Sequence, residues 1–361
     1  MSKKSKLTLI IDGNWLLISR YSVIANKFST DEQMCKELQL LMLKSIGIVT
    51  KTFSNIDNII FVSDGGSWRS HLEIPSYLYD EKTSEDQSVE YKGQRHLPEG
   101  TNWDLVFKYY EELISMLQEN GITTCRSIGI EGDDWCWYWS NKLNNDGTNV
   151  IIWSMDKDLT QLVRRNKENG VFTICWNMKT GATVENINEE ENPLDFFFND
   201  LNLEFNNQLY DSIIEKCKNV NSIYPKDIII DKIIRGDKGD NIFPIILKHA
   251  NNAASNKTFR VSLKDIDFNL DLNNDTAIRN YIHGIVNSKK YINKVSKSED
   301  NIFNHFKYNY KLVVLEENNY PQEVLDTMNS YIGYTSNNNV SNLISYVSAR
   351  NNSIDNILEA I

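Results

Sequence analysis

The sequence predicts an α/β fold built on a mostly parallel sheet, and three observations carry that expectation. Short β-branched runs recur at 7–11, 58–62, 123–128, 149–153 and 171–176. Longer segments of helical period fill the gaps, over 38–49, 103–117 and 135–143. Strands that alternate with helices are joined by crossovers, and crossovers connect parallel neighbours. With 361 residues, 41% hydrophobic and 11% aromatic, the chain can bury cores for roughly two domains.

Taken in order, LTLII at 7–11 is the first strand and LQLLMLKSIGIV at 38–49 the first long apolar stripe. NIIFV at 58–62 is the second strand. A polar stretch follows, 67–102, and a connection that long without apolar period is usually functional or disordered. WDLVFKYYEELISML reads as helix, TTCRSI as a third strand, WCWYWSNKL as a helix with its tryptophans in the core, and NVIIW and VFTICW as strands. The acidic EEEN at 189–192 and the Asn-rich 216–225 mark a boundary, after which helical period dominates. The expected domains are 1–222, α/β, and 223–361, helical, with a last helix over 351–361 docking on its own domain.

Five cysteines, none in C-x-x-C spacing, argue against a disulfide framework or a zinc site and fit a reducing cytoplasm. No run approaches the ~18 apolar residues of a membrane span, so neither secretion nor membrane insertion is expected. P-loop, dinucleotide, serine-hydrolase and zinc-protease motifs are missing, and the five histidines are isolated. DIDFNLDLNND at 265–275 alternates acids like a calcium loop, but Leu270 and Thr276 stand where Gly and Glu are needed, so it reads as a solvated loop.

The net charge of −11 alone argues against a generic basic nucleic-acid coat, but the positions of the acids are more informative. Asp12, Asp64, Glu131 and Asp156 each follow an expected strand, and strand carboxyl ends in an open parallel sheet converge on one crevice. Asp133 and Asp134 in EGDD, Asp158 in SMDKDL, and Asp237 and Asp240 in IIRGDKGDN bring the candidates to nine. Two carboxylates ~4 Å apart repel by ~4 kcal/mol at an effective dielectric of about 20, so such a cluster calls for a cation. Oxygen ligands without His or Cys favour Mg2+, with Mn2+ as a substitute, over zinc. Two such ions suit phosphodiester hydrolysis, activating water and stabilising the charged transition state. Setting nine ligand acids aside brings the rest of the chain close to neutrality, which readmits basic patches.

A single Asp at a strand end is more often the N-cap of the next helix than a ligand. The series E-x-D-D, S-x-D-x-D and G-D-x-x-D-N, after two earlier strand-end acids, is hard to assign to capping alone.

IIDGN at 10–14, FVSDGG at 61–66, YKGQR at 91–95, IEGDDW at 130–135, SMDKDLTQLV at 154–163 and IIRGDKGDNI at 233–242 resemble, in type and order, the 5′-3′ exonuclease and flap endonuclease superfamily. The likeness is to its bacteriophage members, the T-even ribonuclease H type included. It implies a metal-dependent, structure-selective 5′ nuclease that removes flaps or RNA primers during phage replication and leaves 5′-phosphates. By position, Asp64, Glu131 and Asp133 would hold one Mg2+, Asp158, Asp237 and Asp240 lean to a second, and Asp156 lies between them. Asp12 and Asp134 would act behind the ligands. Lys92 would assist the scissile phosphate with Arg95, three residues on and on the same face if the segment is helical. Arg69 would touch the same strand, and Tyr77, Tyr79 and Tyr91 would stack on bases.

The resemblance further implies a helical arch at about 67–120 and a helix-three-turn-helix element opening at IIRGDKGDNI. There Lys232, Arg235, Lys238, Asn241 and Lys248 would meet duplex phosphates. After Asn241 the chain reads IFPIILKHANN, without the Gly-x-Gly turn of that element, which puts its bound K+ in doubt. Expected partners are branched or nicked DNA and RNA–DNA duplexes, with a single-strand-binding protein or sliding clamp as protein partners of a monomer. The competing reading is a non-catalytic DNA-junction binder on the same scaffold, against which the intact acids argue.

Overall fold

A computed structural model describes residues 6–331 except 26, 54–55, 82–87, 167, 178, 187–218, 247–259, 294 and 296. The helix expected at 351–361 and the candidate Lys248 lie outside the described residues. Packing divides the chain into two units, the first from 1–66, 98–224 and 320–361, the second from 67–97 and 225–319. The division at 224 falls next to the boundary expected at 222, but 67–97 groups with the later unit and the chain from 320 with the earlier one.

The first unit holds an eight-stranded sheet of described residues: β1 (Leu7–Asp12), β2 (Asn58–Val62), β3 (Thr123–Cys125), β4 (Asn149–Trp153), β5 (Arg164–Arg165), β6 (Phe172–Asn177), β7 (Gly181–Glu185) and β8 (Val220–Ile223). The order is β3-β2-β1-β4-β6-β7-β8, with β5 paired to β6. From β3 through β6 every pairing on that path is parallel; β6 and β7 pair antiparallel. β1, β2 and β4 are buried along their whole length, as strands covered on both faces must be.

Alternation sorts the two faces. Leu7, Leu9, Ile11, Ile59, Phe61, Ile151 and Trp153 join one apolar cluster with α1 (Gly13–Ile24), α2 (Asp31–Thr52) and α3 (Trp103–Glu119). Helix α4 (Gly132–Asn145) packs against β1, β2, β4 and β6. Its Trp135 and Trp139 are fully buried, in the core role expected of them.

Helix α3 corrects the arch expected over 67–120. Its residues Val106, Tyr110, Leu113, Ile114 and Leu117 repeat at helical spacing and are buried against the sheet, so this stretch is core. The segment before it is less polar in effect than in composition, because Leu78 and Val89 are buried in the second unit's core, with Leu72, Ile74, Tyr77 and Tyr91 packed on it.

The second unit contains α5 (Pro225–Arg235), α6 (Asp275–Val286) and α7 (Glu299–Val313), closed around Ile230, Ile233, Ile234, Ile278, Ile282, Ile302 and Phe306. Gly236 ends α5 at φ +69, where a Cβ would meet the Ile242 carbonyl at 2.2 Å. Three of the last carbonyls of α5 are bonded: Lys232 accepts from Gly236 N–H, Ile233 from Asn309 Nδ2 and Ile234 from Ile245 N–H. The second helix of the expected helix-three-turn-helix lies outside the described residues.

Candidate active site

The carboxyl ends of β1, β2 and β4 lie side by side, and each carries one acid into the same edge of the sheet. Register aligns Asp12 with Val62, and Ile11 with Trp153. Ser154 therefore follows its strand level with Asp12, and its Oγ donates to Asp12 Oδ2 at 2.8 Å. The same oxygen accepts from Asp156 N–H at 2.9 Å, and Asp156 Oδ1 accepts from Asp158 N–H at 2.9 Å. One serine thus joins Asp12, the last residue of β1, to Asp156, which follows β4.

Asp12 has the capping role a strand-end Asp ordinarily has: its Oδ1 accepts from Trp15 N–H at 3.0 Å at the start of α1. Its remaining environment is not that of a cap. Burial pushes its pKa up to about 7, only partly opposed by the bonds from Trp15 and Ser154, and the charges of Asp64 and Asp156 push the same way.

Asp64 is held from two directions. Asn14 Nδ2 donates to Asp64 Oδ2 at 2.8 Å, while Asn14 Oδ1 accepts from Asp64 N–H and Ser63 Oγ at 3.0 Å each. Gly132 N–H, in the first turn of α4, donates to Asp64 Oδ1 at 2.6 Å, aiming the positive end of that helix at the carboxylate. A Cβ at Gly132 would come 3.1 Å from Asp64 Oδ1, so glycine suits this close approach. Glu131 and Asp134 flank it as a reciprocal capping box, with Asp134 Oδ2 accepting from Glu131 N–H at 3.0 Å. Beneath them the buried Cys136 thiol is pushed well up, by burial first and then by Asp12, Asp133 and Asp156.

A rigid turn borders Asp64. Ser127 C=O accepts from Ile130 N–H at 3.1 Å with Gly129 at φ +77, the glycine position of a type II turn. Gly65 pairs with it through its N–H to Ile130 C=O and its C=O to Gly129 N–H, and Arg126 Nε donates to Asp64 C=O at 2.9 Å.

The first unit therefore brings together Asp12, Asp64, Glu131, Asp133, Asp134, Asp156 and Asp158. Oxygen donors, several buried and mutually repelling, fit a hard divalent cation. Sequence reasoning passed over Asn14, Ser154 and Gly132, which hold these acids; the Asn of IIDGN and the Gly of IEGDD were legible as motif letters, their partners were not.

The second unit carries the other candidates. Lys92 is not helical: it lies in a tight turn at φ +55, which removes the shared helical face expected for Lys92 and Arg95. Arg95 pairs with Asp240, Lys232 pairs with Asp237 at 2.6 Å, and Arg235 pairs with Asp231 at 2.9 Å. Lys238 is exposed in the loop after α5. Arg69, expected against a nucleic-acid strand, is buried beside Trp68. Of the three tyrosines, Tyr79 is half exposed, Tyr77 packs with His305 and Lys297, and Tyr91 lies under Lys92.

Among the described residues no helix is long and apolar enough to cross a membrane. A family model for the 5′-3′ exonuclease N-terminal resolvase-like domain matches residues 7–192. A 5′-3′ exonuclease of Buchnera aphidicola subsp. Acyrthosiphon pisum is 30% identical over 163 residues, covering 45% of this chain and 51% of that protein. A 5′-3′ exonuclease of Mycoplasmopsis pulmonis is 26% identical over 239 residues, 66% of this chain and 62% of that one. The chain thus spans about half to two thirds of the length of these relatives. Among solved structures, a bacteriophage T5 flap endonuclease complex with DNA and metal ions has a TM-score of 0.49 at 16% identity, covering 95% of this chain and 98% of that one. T5 5′-exonuclease with bound zinc gives 0.48 at 15%, covering 95% and 99%.

Proposed function

This chain belongs to the 5′-3′ exonuclease family, and from that premise we propose that it is a divalent-metal-dependent, structure-selective 5′ nuclease. One observation carries the reading: three neighbouring parallel strands deliver Asp12, Asp64 and Asp156 to one edge, buried enough to push Asp12 up to about 7. Such a cluster is costly by itself and favourable around cations.

Within the first unit, Asp64, Glu131, Asp133, Asp156 and Asp158 are the proposed ligands of Mg2+ or Mn2+. Asp12 and Asp134 act behind them through Ser154 and the α4 cap. Bound there, the ions supply Lewis acidity and an activated water for phosphodiester hydrolysis. Asn14 and Gly132 fix the Asp64 carboxylate, and Ser154 fixes Asp12 relative to Asp156, so the ligand oxygens need little reorganisation. Asp237 and Asp240 are proposed ligands of a second ion, and Lys92 the proposed partner of the scissile phosphate. The proposed substrates are 5′-flap, nicked and RNA-primed duplexes, and the proposed setting is primer removal in DNA replication. The two curated relatives are bacterial, whereas the likeness of motifs is to phage enzymes.

The test is cleavage of end-labelled 5′-flap, nicked and RNA-primed duplexes with Mg2+ or with chelator. Metal-dependent release of 5′-phosphate products is expected. Asp156→Asn should abolish cleavage and largely spare binding; normal turnover in that variant refutes the metal assignment. Tight binding of junctions with no cleavage under any divalent metal would favour the junction-binding alternative.

A further inference from the structure

The turn that bears Lys92 is fastened to the loop after α5 by ties distant in sequence. Lys92 N–H donates to Asp240 C=O at 2.9 Å. Arg95 pairs through its guanidinium with the Asp240 carboxylate, and its Nε donates to Gly239 C=O at 3.2 Å. From the other side, Asn241 Nδ2 donates to the carbonyls of Ser88 at 2.9 Å and Glu90 at 2.8 Å. Between these polar ties, Val89 is buried in the same apolar cluster as Ile242 and Phe243.

Both ends of this clasp are conformationally committed. Asn241 is held at φ +57 and Lys92 at φ +55, a region non-glycine residues enter only where surrounding contacts define it. The loop is itself closed by the paired bonds of Asp237 with Ile242, at 2.9 and 2.8 Å, and Asn241 is 8% exposed. A buried amide that satisfies two carbonyls of another segment has its donors turned inward, away from a duplex backbone.

We propose that Asn241 and Arg95 are positioning residues: they clasp the Lys92 turn onto the 237–242 loop, so that the loop sets the orientation of Lys92. This departs from the roles implied by resemblance, in which Arg95 meets the phosphate and Asn241 the duplex. It rests on the proposed nuclease reading for the role of Lys92, but the clasp can be read out without cleavage.

Asn241→Gly is the informative variant, because glycine keeps the positive φ while deleting both side-chain bonds. In hydrogen-exchange mass spectrometry of the full chain without substrate, peptides covering 90–95 should lose protection by roughly tenfold or more, while peptides from α6 and α7 stay as in the parent. With a 5′-flap duplex, single-turnover cleavage should slow by roughly tenfold, with the Kd measured in Ca2+ changed by less than about twofold. In a Lys92→Ala background, Asn241→Gly should add less than about twofold, since the two act as one unit. Arg95→Lys should reproduce the same pattern in weaker form.

Unchanged protection at 90–95 overturns the clasp. So does a loss of affinity equal in both backgrounds, which would return Asn241 to direct duplex contact. If exchange reports the clasp but no substrate is cleaved by the parent protein, the nuclease reading fails and the clasp stands. Should Asn241→Gly prove poorly folded, the Arg95→Lys exchange and kinetic series carries the same test.

Discussion

Replacing Asn14 isolates how far the Asp64 carboxylate depends on being held. Asn14→Ala removes the 2.8 Å bond from Nδ2 to Asp64 Oδ2 and the 3.0 Å acceptor shared by Asp64 N–H and Ser63 Oγ. A bond to a charged group is worth ~1.5–3 kcal/mol and each neutral one ~1 kcal/mol, giving about 4 kcal/mol before relaxation. Asn14 is only half-buried and water can replace part of this, so the expected loss is about 2–3 kcal/mol. Released from Asn14, Asp64 should bind divalent metal roughly tenfold to a hundredfold more weakly. Urea unfolding measures the first quantity and a titration with Mn2+ the second. Asn14→Asp sharpens the test, because it puts a second carboxylate where the amide donor stood. It should be worse than Asn14→Ala at pH 8, and the difference should shrink at pH 5 as one of the pair takes up a proton. A stability change under about 0.5 kcal/mol, the range of an ordinary surface substitution, with unaltered metal affinity would refute the reasoning.

Other outcomes are equally definite. His305 is fully buried in α7, and burial together with the charge of Lys297, 3.5 Å from its Nδ1, holds its pKa well below the ordinary value; the Tyr77 ring and the Phe243 backbone also face it. A depressed folded pKa favours the neutral ring, so this contribution is present above the unfolded value near 6.5 and is lost as pH falls below it, by about 1.4 kcal/mol per unit. His305→Gln should therefore lose less stability than the parent as pH falls from 6.5 to 5 in urea unfolding, and parallel curves would count against it. Gly65→Ala places a Cβ 1.9 Å from the Ser127 carbonyl oxygen, so the turn over 127–130 must shift; a loss of ~2–3 kcal/mol is expected by thermal unfolding. Ser154→Ala deletes the link between Asp12 and Asp156 and should weaken Mn2+ binding roughly tenfold, read by titration with Ser154→Thr as the partial rescue.

The strands and their closing acids were legible because both are local: a β-branched run and an acid at its end or within three residues of it lie together in sequence. Asp12, Asp64 and Asp156 could therefore be placed on one edge once parallel order was inferred. What held them was not legible, since Ser154 reaches Asp12 only through strand register and Gly132 reaches Asp64 across 68 positions. The helix at 103–119 was recognised from its period, yet its period could not say that it faces the sheet rather than an arch. Segment 67–97 looked solvated because its few apolar residues, Leu78 and Val89 among them, find partners more than a hundred positions later. Arg95 and Asp240, 145 residues apart, were assigned separate tasks and are in fact one ion pair.

The interleaving of the two units has a bearing on biosynthesis. Leu72, Ile74, Leu78 and Val89 leave the ribosome well before the chain from 225 to 319 that covers them. Until then they are apolar groups without a home, and co-translational folding of the sheet unit has to proceed around them. Fragments ending near 224 should be prone to association through that stranded segment, and coexpression of 225–319 should suppress it.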